Sequence, residues 1–396
     1  MNDLFRQLYT RYFRGRLRKL ALRSNQLSII TRQDLLTSTP EFVDSIWDYG
    51  RSEYIELLKP SHVGRLPREI QEKIGMWVID APFLAQCKDI DIVGSDSLLI
   101  TSNNGYILEG VEGSTARATD AIVRSLLNRD LPVRRSTDST YDIAVSLAGP
   151  WSDQFFHWFV EYLPRLITVQ KYAEQFSLDP VYFIPSNPPD WLLRSLELFG
   201  IQDDKIIAWD GGRVTVHTLL LPSLWRDTES TAPQQGYIHS PRGIREVSNR
   251  LLGSVSEESI KTDVGSRMYI SRSGAPTRNV VNETELQPIL DEYGFEIVYP
   301  ETWSLDEQIA TFGNADVVAG PHGGGLTNAM YASNPTVMEF FGRNTNPCYF
   351  ALFAGCGWDY GLVNAEAVGS DIRVAPDDFR QLCDEMLDQF SISLSK

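Results

Sequence analysis

The sequence predicts an α/β fold built as two successive halves, and three observations carry that prediction. The chain has 396 residues, more than one compact core of ordinary size holds. Hydrophobic residues make up 42% and charged residues 22%, a globular balance that excludes a disordered or fibrous chain. Short apolar runs take turns with amphipathic ones through most of the length, the pattern of a sheet covered by helices.

Taken in order, residues 1–25 stand apart: seven basic residues oppose only Asp3, in a protein of net charge −16. Phe5, Leu8, Tyr9, Tyr12, Phe13, Leu17 and Leu20 interleave with those charges at helical spacing. A basic amphipathic helix of this kind lies on an anionic membrane surface or packs on the protein's own acidic face. Residues 26–75 carry weak signals, and 76–112 reads as β-rich with hairpins. A strand at 143–147, a helix at 155–172, a strand at 181–184, a helix at 191–199 and strands at 205–208 and 214–221 follow. Residues 233–266 read as a connection, helical around 241–252.

The second series has strands at 267–271, 296–299, 316–319 and 336–340. Its helices are expected at 283–293, 305–314, 326–332 and 376–394. The expected division is a basic segment 1–25, an acceptor-side domain 26–240 and a ligand-binding Rossmann-like domain 241–375. A closing helix over 376–396 is expected to pack back on the first domain.

The charge balance excludes general nucleic-acid binding, which calls for a basic surface. No run of eighteen apolar residues spans a bilayer. Met1-Asn2-Asp3 opens no secretory signal, and four cysteines without C-x-x-C spacing suit a reduced, cytoplasmic protein. A Cys348–Cys356 disulfide is the minor alternative to that reduced reading.

The strongest local signal is Asp316-Val-Val-Ala-Gly-Pro-His-Gly-Gly-Gly-Leu-Thr-Asn328. A strand runs into a glycine-rich turn and then a helix, which lets backbone N–H groups approach a phosphate or diphosphate. His322 adds a donor beside Gly323, Gly324 and Gly325. The dinucleotide fingerprint does not fit this position or spacing. The oxyanion reading of His322-Gly-Gly-Gly325 fails because the chain has no G-x-S-x-G elbow, which excludes a hydrolase. Glu339, near the end of the next strand, suits a ribose hydroxyl or an arginine partner.

Arg272 and Arg278 follow a strand's carboxyl end, where an acidic protein must gather cations to hold an anion. Asn282 reads first as a helix N-cap with Glu285 as its capping-box partner, and second as a ligand contact. Upstream, Asp153, His157 and Glu161 recur at i, i+4, i+8 in an aromatic stretch, a helix face able to supply a general base. Asp89-Ile-Asp91 has the form that holds a divalent ion, but such a pair arises by chance among 52 acids.

Three segments together resemble glycosyltransferase family 61, which includes capsular-polysaccharide, plant xylan arabinosyl/xylosyl and protein O-GlcNAc transferases. They are His157-Trp-Phe-Val-Glu-Tyr-Leu-Pro-Arg165, Ser271-Arg272 through Arg278 to Asn282-Glu283, and Gly320 through Asn328. One departure is Gly324, where alanine is usual. The resemblance implies a GT-B fold, two Rossmann-like domains facing a cleft, with inverting chemistry and no metal or other cofactor. The implied partners are a nucleotide-sugar donor and a glycan or lipid-linked acceptor in surface polysaccharide or glycan assembly, and the basic segment 1–25 would attach a cytoplasmic protein to the inner face of the cell membrane. Arg272, Arg278, Asn282 and His322–Gly325 would hold the donor and Glu339 its ribose. Asp153, His157 or Glu161 would be the base, and the sequence does not separate them. The alternative is a non-catalytic nucleotide-sugar-binding or polysaccharide-assembly protein, which would keep the donor loop without needing those three residues.

Overall fold

A computed structural model describes residues 28–38, 40–111, 115–127, 139–227, 237–261, 263–343 and 345–393. The basic segment 1–25 lies outside the described residues. The chain divides into two compact units, each α/β.

The first unit, Met1–Arg51, Ala81–Leu193 and Ile201–Thr228, is built on a nine-stranded mixed sheet. Its order is Ser28–Ile30, Gly105–Ile107, Leu98–Ile100, Phe83–Val93, Arg213–Pro222, Ser139–Ser146, Val181–Pro185 and Ile206–Trp209, with Val43–Asp48 paired to Phe83–Val93. Phe83–Val93 and its neighbours 98–100 and 105–107 run antiparallel, so the hairpins expected there are present. The last four strands of the order run parallel to one another. The chain moves outward from Ser139–Ser146 to Ile206–Trp209, then returns to lay Arg213–Pro222 on the other side of Ser139–Ser146. That reversal is a topological switch point, where the carboxyl ends of two strands diverge and leave room for a ligand.

The second unit holds Ser52–Asp80, Arg194–Gly200 and Glu229–Lys396 around a six-stranded sheet, parallel throughout. The order is Glu296–Val298, Arg267–Ile270, Val317–Pro321, Thr336–Phe341, Tyr360–Asn364 and Ser61–Val63. The first five have the doubly wound order 2-1-3-4-5, with its switch point between Arg267–Ile270 and Val317–Pro321. Both faces are covered, so Val317–Pro321 and Thr336–Phe341 are buried along their whole length and read as unbroken apolar runs. The helix Pro376–Ser393 presents Phe379, Leu382, Cys383, Met386 and Leu387 at helical spacing to this core.

Several elements differ from expectation. Ser52–Asp80 clusters with the second unit because Ser61–Val63 adds an edge strand to Tyr360–Asn364 and Val63 joins its core. Pro376–Ser393 packs within that same unit rather than on the first. The segment after the glycine loop is a 3-10 helix, Gly324–Tyr331. All four cysteines are free and buried, as their sparse spacing leads one to expect, and the alternative Cys348–Cys356 bridge does not form. Among the described residues no helix is long and apolar enough to cross a membrane.

Candidate functional site

Each unit carries one cluster of polar side chains at its switch point. In the first unit the helical run after Ser139–Ser146 covers 155–176, but its turn Trp158–Tyr162 is a π-helix. Such an inserted turn re-aims side chains and recurs at functional sites. His157 Nδ1 lies 2.8 Å from Glu161 Oε2. A carboxylate only accepts, so Nδ1 donates and Nε2 is the basic nitrogen. The other Glu161 oxygen accepts from the buried Arg226, which follows the neighbouring strand Arg213–Pro222. Glu161 is 4% exposed and His157 23% exposed, so the carboxylate orients and the imidazole reaches outward.

Asp153 is not on that face. It stands exposed in the turn before the helix begins, so the i, i+4, i+8 stripe reduces to the His157–Glu161 pair. Arg165 is buried, with burial lowering its pKa, and packs over the Tyr162 ring at 5.4 Å. Arg226 was not legible in the sequence: nothing local links it to a glutamate 65 positions earlier.

In the second unit, Arg272 leaves the carboxyl end of Arg267–Ile270, and the glycine loop leaves that of Val317–Pro321. Arg272 Nε and Nη2 donate to the Thr277 carbonyl at 3.3 and 3.1 Å. Burial lowers the Arg272 pKa, and the nearby charge of Arg278 lowers it further. Two guanidiniums repelling one another in a half-buried place are stabilised by an anion. Arg278 is held at φ 62°, left-handed for a non-glycine residue. Its N–H donates to the Ser370 carbonyl and Asn279 N–H to Asp371, which pins that strained segment.

Gly323 is required by the arginine above it, since a Cβ there would stand 2.2 Å from Arg272 Nη1. Gly324 and Gly325 supply first-turn N–H groups of the 3-10 helix. His322 Nδ1 is hydrogen-bonded to Glu339, whose second oxygen accepts from the Tyr360 hydroxyl. Burial pushes the Tyr360 phenol well above its ordinary range, and Glu339 adds to the effect, so the phenol stays protonated and donates. Phe341 stacks on the His322 ring at 5.7 Å and Tyr349 meets it edge-on at 5.4 Å. Tyr349 also donates to the Gly323 carbonyl at 2.7 Å.

Glu339 is fully buried with both oxygens engaged, an arrangement for orienting His322 rather than for meeting a ribose. Asn282 occupies the N-cap position without capping. Its amide donates to Val374 O at 2.8 Å and its carbonyl accepts from Val374 N at 3.1 Å, while Glu285 bonds its side chain instead of closing a box. Asp91 is engaged by Arg213 and Thr215, and Asp89 by His217. Among the described residues no cluster of three or more His, Cys, Asp or Glu side chains has the arrangement of a metal site.

An acidic chain that gathers two arginines and a glycine loop at a parallel-sheet switch point, with an oriented histidine in its other unit, has the parts of a phosphate-handling α/β enzyme. The model of the family described as glycosyltransferase 61 matches residues 155–338 and supports membership of this chain in that family, and with it glycosyltransferase activity in general. The match spans all three motif segments and stops short of Asp153 on one side and Glu339 on the other. No curated protein matches the chain.

Proposed function

We propose that the protein transfers a sugar from a nucleotide-diphosphate donor to a hydroxyl of a glycan or glycoconjugate, inverting the anomeric carbon without a metal. The observation that carries this reading is the pair Arg272 and Arg278, two like charges close enough for one to lower the pKa of the other, with Arg272 lying against Gly323 of the glycine loop. Arg272, Arg278, His322 Nε2 and the amides of Gly324 and Gly325 hold the diphosphate and offset its charge as it leaves. Glu339 and Tyr360 keep the His322 ring in place, and Asn282 ties the start of the helix Glu283–Glu292 to Val374.

On the acceptor side His157 is the base and Glu161 its orienter, itself held by Arg226, while Asp153 is the weaker candidate. Nε2 takes the hydroxyl proton as that oxygen bonds to the anomeric carbon. The bond from that carbon to the diphosphate oxygen breaks, and its electron pair leaves with the nucleotide. The protein acts as a GT-B-type enzyme in surface polysaccharide assembly, with residues 1–25 meeting the inner membrane face.

Thermal-shift titration with UDP, GDP and dTDP tests it. One nucleotide raises the wild-type melting temperature with EDTA present, by mass action, and Arg272→Ala abolishes the rise. No rise with any of them, or a rise only with added Mg²⁺ or Mn²⁺, refutes the donor reading.

A further inference from the structure

Trp151 occupies a place that local rules reserve for glycine. The Ser152 N–H donates to the Gly149 carbonyl at 3.2 Å, Pro150 is second in that turn, and Trp151, third, has φ 58°. This is the pattern of a type II turn, whose third position needs positive φ. For a bulky residue that backbone is a true outlier, and strain of this sort persists only where the surroundings enforce it. They do so here. Ser152 Oγ donates to the Gly149 carbonyl at 2.9 Å and accepts from the Gly149 N–H at 3.1 Å. The Tyr162 hydroxyl donates to the Pro150 carbonyl at 3.1 Å.

The side chain so placed is 36% exposed, unusual for a tryptophan. Its ring stacks on the His157 imidazole, with centroids 5.0 Å apart and planes inclined by 30°, and Phe156 stands edge-on to the same imidazole at 5.4 Å. A fixed indole stacked by one face on an oriented histidine, and 36% exposed, offers a flat apolar surface next to a proton acceptor. The C–H face of a sugar ring lies on such a surface, leaving its hydroxyls at the rim for the base.

We infer that Trp151 is an acceptor-binding platform, and that the acceptor hydroxyl belongs to a pyranose ring stacked on it rather than to a peptide side chain. This rests on the transferase reading above and gives it a substrate class.

Saturation-transfer NMR on the full chain tests the inference. The probes are methyl β-D-xylopyranoside, methyl β-D-glucopyranoside, methyl β-D-galactopyranoside and a threonine-containing peptide. At least one pyranoside receives saturation on its ring C–H protons from the wild type. Trp151→Phe keeps binding within about threefold, and Trp151→Gly and Trp151→Asn weaken it tenfold or more. The glycine variant does not melt earlier, because it relieves the turn. Wild-type affinity in the Gly and Asn variants, saturation on the peptide alone, or saturation on no probe overturns the platform. The nucleotide-induced melting shift, read on the same wild-type sample, reports on the donor reading separately. Its presence alongside Trp151-independent sugar binding removes the platform only.

Discussion

Replacing Gly323 by alanine displaces Arg272 without altering it. The new Cβ would lie 2.2 Å from Nη1 and 2.9 Å from Cζ of that arginine. Gly323 has φ 171°, an extended backbone that alanine adopts freely, so the clash is the whole effect. The guanidinium is the far end of a flexible chain, and it swings away before the loop does. Its charged hydrogen bonds to a phosphate contribute about 1.5–3 kcal/mol, so the expected loss of nucleotide affinity is about 10- to 150-fold. Calorimetric titration of wild type, Gly323→Ala, Arg272→Ala and the double variant with the nucleotide that stabilises the wild type reads this directly. The single variants are expected to match, and the double variant to be no worse than either, because both remove one interaction. Unchanged affinity in Gly323→Ala, or losses that add, refutes the reasoning. Gly320→Ala is the contrast. Its Cβ would meet the Ile270 backbone oxygen at 2.8 Å with nothing flexible to yield, so this variant loses about 1–3 kcal/mol of stability, read as a lower urea midpoint.

Arg226→Leu takes the cation away from the buried Glu161, which keeps its bond to His157, and is expected to destabilise the protein by about 3 kcal/mol by urea unfolding; a loss under 1 kcal/mol would show that the pair is solvated. His157→Ala is expected to cut the transfer rate by about 10²–10⁴ with nucleotide affinity intact, whereas Asp153→Ala costs less than about threefold; the reverse order in a donor-consumption assay assigns the base to Asp153. Burial raises the Glu283 carboxyl above 4.5, more than the hydrogen bonds from Ser271 and Tyr269 lower it. An acid shifted this way favours folding most below pH 4.5 and loses that contribution as pH rises through its folded value. Glu283→Gln is therefore expected to flatten the decline of the urea midpoint above pH 4.5, and parallel curves count against it.

Much of the donor cluster could be read from the sequence because its pieces are local. A buried strand, a glycine run and a following helix announce a phosphate turn within thirteen residues, and Arg272 and Arg278 follow another strand closely. The 3-10 character of Gly324–Tyr331 could not be read, since propensity does not distinguish it from an α-helix there. Asp153 was misread for a related reason: the i, i+4, i+8 count assumes the helix has begun, and the turn that holds Trp151 delays it to Phe155. His157 and Glu161 kept their pairing even through a π-turn, since four-residue spacing still brings them within hydrogen-bond reach.

Readable along the chain are the alternation of strand and helix, the glycine loop, the paired arginines and the histidine–glutamate spacing, all patterns written within a few turns or one strand. Only the tertiary structure decided that Arg226 meets Glu161, that Tyr360 and His322 share Glu339, and that Ser61–Val63 completes a sheet some 300 residues downstream. Those contacts arise from sheet order and burial, which bring distant residues together without any local periodicity to betray them. A buried carboxylate must find donors somewhere, but where they come from is fixed by the packing of the whole unit.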